Sequence, residues 1–136
     1  MTITNQAPPM RAADFKGGDD IVISTAPRPV AGSGEALVRV SRTALCGSDF
    51  KLWHNGSEFI AGHEIAGYVE QNGHPLDGQL CAIYIPMHCE NCDACKTGNT
   101  QSCVEISSLI GWNRGGGYAE YVAVPDNCLL PVPGDI

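Results

Sequence analysis

Apolar residues fall in short stretches that alternate every second position, so the chain reads as strands separated by turns. Glu35 to Thr43 sets Val38 and Val40 on one face and Arg39 and Ser41 on the other, which predicts a half-buried strand. Ile21 to Ser24, His63 to Val69 and Gly117 to Val124 are further strands. Gln79 to Ile85, apolar on both faces, predicts a strand buried on both sides. Only Cys46 to Trp53 reads as a short helix, with Ser48 and Asp49 at its start, where hydroxyl and acidic groups suit exposed backbone N–H groups. Leu129 to Ile136, with Pro131 and Pro133, reads as an extended exit strand or the start of a linker. The fold class is mainly β.

At 136 residues the chain is one ordinary domain. Hydrophobic residues make up 43% and charged ones 17%, enough apolar material for a core. A net charge of −7 with no Lys/Arg cluster excludes nucleic acid as an expected partner. Met1 to Gly18 lacks the apolar stretch of a secretory leader, and the most apolar window, Leu80 to Met87, is strand-sized. No membrane association is expected, and the expected location is cytoplasmic, where thiols stay reduced. Seven cysteines, an odd count, argue against a closed disulfide framework and for metal ligation.

Cys89, Cys92, Cys95 and Cys103 place four thiols within fifteen polar, turn-forming residues, in a lobe spanning residues 88–104. Four thiolates close a tetrahedral shell around Zn2+ with no open position, the pattern of a structural site. The lobe has no hydrophobic periodicity, so metal binding has to supply its local folding free energy. A ferredoxin-type cluster fits less well: its fourth cysteine comes three residues after the third and is followed by proline, whereas here the gap is seven residues and Val104 follows. Cys81 and Cys128 belong to no motif and read as buried, inert thiols.

A second constellation joins Cys46-Gly47-Ser48-Asp49 to Gly62-His63-Glu64. Cys46 near a helix start offers a thiolate and His63 a neutral imidazole. Asp49 suits a hydrogen bond to the other ring nitrogen of His63, and Ser48 a proton transfer beside an open metal position. Glu64 follows His63 directly, and neighbours on a regular strand point to opposite faces. It can join as an exchangeable ligand only if the backbone is irregular there, as Gly62 and Gly67 permit; otherwise it stands behind the ligands.

These residues, with Gly116-Gly117-Tyr118-Ala119-Glu120-Tyr121 and Leu130-Pro131, together resemble the zinc-dependent medium-chain alcohol and polyol dehydrogenases, specifically their GroES-like catalytic domain, over essentially residues 1–136. The resemblance implies a partly open β-barrel with a short helix and a structural-zinc lobe. It implies a catalytic zinc on Cys46 and His63 and a structural zinc on Cys89, Cys92, Cys95 and Cys103. It further implies hydride transfer from a small alcohol or polyol to NAD(P), with Ser48 accepting the substrate proton. Trp53 and Trp112 are candidates to line the substrate cleft or, equally, packing aromatics.

No strand–GxGxxG–helix unit is present, and Gly115-Gly116-Gly117 precedes a strand as a turn. The nucleotide-binding Rossmann domain of the family is therefore expected to be absent, NAD(P) to bind only with that missing domain, and the isolated chain to be inactive. The family's third catalytic-zinc ligand lies beyond the segment matching Leu130 to Pro133, which leaves the vacancy to Glu64, water or a neighbouring chain. Two alternatives stay open: one half of a split enzyme, and a non-catalytic zinc-stabilised barrel for protein interaction. Self-association is expected through the apolar face left by the missing domain.

Overall fold

The computed structural model describes residues 8–134. Part of the Met1 to Gly18 stretch read for a leader, and the end of the Leu129 to Ile136 tail, lie outside the described residues. Strands β1 (Met10–Gly17) and β2 (Asp20–Ala26) form a hairpin. Five more strands follow: β3 (Glu35–Ala44), β4 (Glu64–Val69), β5 (Leu80–Ile83), β6 (Tyr121–Pro125) and β7 (Leu129–Pro131). They form one antiparallel sheet in the order β6-β3-β4-β5-β7, curled into the partly open barrel expected of this mainly β class. A bulge between Val40 and Arg42 sharpens the twist of β3 where it runs toward Cys46.

Inward side chains of the sheet make the core. Val38, Val69, Cys81, Val124 and Cys128 are fully buried or nearly so, with Ile110 entering from the loop after the cysteine lobe. Burial raises the Cys81 thiol pKa and pushes that of Cys128 up to about 11, which keeps both neutral and inert. Only one face of β5 is fully buried, Cys81 and Ile83, while Leu80 and Ala82 on the other face are half-buried; the expectation of burial on both sides is corrected to that extent.

Other elements also differ from the sequence reading, three of them by more than a shift of strand ends. Strand β1 was absent from it, because Ala12, Ala13 and Asp14 give little contrast between faces, although Met10, Ala12 and Phe15 turn inward. Helix α1 spans Asp49–Asn55, so Cys46 precedes it in a turn. Strand β6 begins at Tyr121, because Gly116, Gly117 and Tyr118 instead donate backbone hydrogen bonds to Ile60, Gly62 and Ala61.

Replacing Ile110 by alanine removes a fully buried side chain from the centre of this core. The expected loss is about 2–5 kcal/mol, read as a lowered urea midpoint of the protein. The same substitution at Ile23, 70% exposed on β2, should move it by no more than about 0.5 kcal/mol.

Candidate metal centres

The cysteine lobe holds its four sulfurs within 4.8 Å of one another. Cys89 Sγ lies 3.6 Å from Cys103 Sγ and 3.9 Å from Cys95 Sγ. A tetrahedron with Zn–S bonds of ~2.3 Å has edges of about 3.8 Å, so the spacing fits a zinc tetrathiolate. It is far too long for a disulfide, and all seven cysteines are free. Helix α2 (Asp93–Lys96) and the turn through Gly98 reverse the chain and return Cys103 to Cys89.

Backbone N–H groups point at the sulfurs. Cys89 Sγ accepts from Asn91 and Cys92, and Cys103 Sγ accepts from Cys89 and Glu105, at 3.3–3.4 Å. Backbone donors at Cys95 and Val104 hold the Cys92 thiol down to about 6, so it is ready to serve as a thiolate. Desolvation, then hydrogen bonds with Cys92 and Cys103, pushes Cys95 up to about 12. Four thiols this close resist a second ionisation unless a cation neutralises the charge.

The second centre brings together Cys46, His63 and Glu64, whose ligand atoms also lie within 4.8 Å of one another. A tight turn presents Cys46: Asp49 N–H donates to Cys46 O at 3.0 Å, and Cys46 N–H donates to Asp49 Oδ2 at 2.9 Å. His63 is presented by Gly62, which has φ of +95° and leaves its Cα so close to Tyr118 that an added Cβ would lie 2.7 Å from the Tyr118 nitrogen. Gly111 and Gly116 press on the Gly62 carbonyl just as closely. This corner keeps His63 off the strand, and β4 starts at Glu64. The alternation that would separate their side chains therefore does not apply.

Asp49 is 0% exposed. Its Oδ2 accepts from Cys46 N–H and, at 2.7 Å, from the Tyr118 hydroxyl, while its Oδ1 faces His63 Nδ1 at 3.3 Å. Neither Oδ1 nor Nδ1 has a hydrogen-bond partner of good geometry. A buried carboxylate opposite Nδ1 favours the proton on that nitrogen and leaves the Nε2 lone pair outward, the tautomer a metal needs. Desolvation first, then the bond to Asp49, raises the Tyr118 pKa and keeps its hydroxyl a donor.

Ser48 departs from a capping role: it makes no cap bond to α1, and its Oγ lies 3.2 Å from His63 Nε2, at the ligand edge. Trp112 sets its ring edge-on to His63, 6.1 Å between centroids, beside the centre. Trp53 packs instead on Phe50 of its own helix, 5.7 Å away, with its indole N–H buried and unpartnered. Sequence reasoning gave no role to Tyr118, which lies 69 residues from Asp49; its only signal was membership of a motif with no assigned chemistry.

Cys46, His63 and Glu64 offer three ligand atoms, a set that could hold a zinc ion with one position to spare, whereas the four sulfurs of the lobe could close a tetrahedral shell. The sequence model of the alcohol dehydrogenase GroES-like domain matches residues 32–134, and the chain belongs to that family. It is 35% identical over 115 residues to L-galactonate-5-dehydrogenase of Escherichia coli strain K12, covering 78% of this chain and 34% of that one. It is 30% identical to L-threonine 3-dehydrogenase of Shewanella baltica strain OS155, covering 90% and 39%. Among solved structures it is similar to the cobalt- and zinc-bound thermostable alcohol dehydrogenase of Pyrobaculum aerophilum, with a TM-score of 0.82, 31% identity, and coverage of 92% and 41%. The chain thus spans roughly two fifths or less of the length of these relatives.

Treatment with a chelator, or replacement of Cys103 by serine, should leave the β-sheet circular dichroism largely intact. Limited proteolysis should then cut between residues 89 and 104, because no residue of that segment is buried.

Proposed function

We propose that this chain is the catalytic domain of a zinc-dependent alcohol or polyol dehydrogenase that passes a hydride from its substrate to NAD(P). The observation that carries the reading is the Cys46–His63–Glu64 cluster backed by a wholly buried carboxylate. Zinc held by these three residues would act as a Lewis acid toward an alcohol oxygen. Asp49 holds the His63 tautomer and, through the Cys46 N–H, the turn that carries the thiolate. Ser48 Oγ is the group positioned to take the hydroxyl proton, and Trp112 walls one side of the space next to His63.

The substrate is a small alcohol or polyol, in keeping with relatives named for L-galactonate and L-threonine. The nucleotide is held by a further domain or chain, so residues 1–136 alone carry the metal chemistry without turnover. Reduced thiols suit the cytoplasm. No helix among the described residues is long and apolar enough to cross a membrane. A net charge of −7 leaves nucleic acid outside the partner set. Large apolar side chains left in water, Leu45 at 62% among them, support a face for self-association or for a further domain.

Elemental analysis of the purified chain should give about two zinc ions per chain. His63→Ala should lower this to about one, with the fold retained. A single zinc in both proteins, held by the lobe, would favour the non-catalytic barrel.

A further inference from the structure

The Gly116–Tyr121 motif holds a residue that the proposed chemistry leaves unused. Tyr118 is fixed from three sides: its ring stacks on Phe15 at 5.3 Å and 20°, its N–H donates to Ala61 O, and its carbonyl accepts from Ala13 N–H. Its hydroxyl has one proton and two acceptors in reach, Asp49 Oδ2 at 2.7 Å and Ala44 O at 3.2 Å. The carboxylate is the nearer and, being charged, the stronger acceptor.

The terminal torsion of an aspartate is soft, so a carboxylate is aimed by its hydrogen bonds rather than by its rotamer. Oδ2 has two donors, the Cys46 N–H and the Tyr118 O–H. Together they turn Oδ1 toward His63 Nδ1, where neither atom has another partner. One oxygen is therefore tied to the backbone of one ligand, the other faces the imidazole of the second, and Tyr118 is the side chain that sets the angle between them.

We propose that Tyr118 is a positioning residue of the second metal centre, acting through Asp49 to aim the His63 imidazole and to anchor the Cys46 turn. The inference rests on reading Cys46, His63 and Glu64 as a metal site. It goes beyond that reading by extending the centre to a third segment of the chain, the one hydrogen-bonded to strand β1.

Tyr118→Phe keeps the ring on Phe15 and deletes only the hydroxyl. The chain, its variant, Asp49→Asn and the double variant would be titrated with cobalt(II). One thiolate and four thiolates give charge-transfer bands of different intensity, so the two centres are read separately. Tyr118→Phe should weaken cobalt at the Cys46 centre roughly ten- to a hundredfold, with the lobe affinity and the far-ultraviolet dichroism unchanged. In the Asp49→Asn background the same change should cost nothing further. Unchanged affinity in Tyr118→Phe, an equal loss in both backgrounds, or loss of both centres together with the fold would each overturn the proposal. A wild-type chain that loads the lobe alone overturns the metal-site reading instead, before any substitution is made.

Discussion

Asp49 is wholly withdrawn from water, and an ionised carboxylate in that position is tolerated only when donors replace its hydration. Two donors reach its Oδ2 from far apart in the chain, the Cys46 backbone N–H and the Tyr118 hydroxyl, while Oδ1 faces the His63 ring at 3.3 Å. Satisfying one buried charge therefore draws the end of β3, the Gly62 corner and the segment before β6 onto a single point. The placement of the ligands follows from that requirement. Tyr118 in turn ties the point to the hairpin, through Phe15 and the Ala13 backbone.

The two centres are held by different physics. The barrel closes on Val38, Val69, Ile110 and Val124, so the Cys46–His63–Glu64 cluster sits on a scaffold that apolar burial already fixes. The lobe has no comparable burial; the Met87–Ser108 and Ser107–Met87 backbone bonds beside it, a 3.4 Å contact between Thr100 and Tyr84, the Tyr84–His88 ring pair and Asn127 donating to His88 O tie it to the barrel. Four sulfurs at tetrahedral spacing stand where a core would be, so an ion bound there would supply the order that apolar burial does not.

The lobe was legible because its chemistry is local: four cysteines within fifteen residues meet whatever the barrel does. The meeting of Cys46 and His63 was legible only through family resemblance, since nothing in seventeen residues of separation dictates contact. Glu64 appeared geometrically awkward because strand alternation was extended one residue too far; the positive φ of Gly62 is what shifts the boundary. Tyr118 and strand β1 were not legible, because both depend on a long-range closure that periodicity does not encode. Ser48 looked like a cap by residue type, yet the His63 ring is the partner the fold offers it.

At the Gly62, Gly111 and Gly116 corner three stretches of main chain touch with no side chain between them. Hardly any volume can be added there, so the corner has little capacity to absorb sequence drift. Substitutions are better tolerated at exposed positions such as Phe50 and Phe59, which stand in water and can change at small cost to stability. A rigid interior of this kind holds the Cys46–His63–Glu64 cluster in place while the exposed surface remains free to vary.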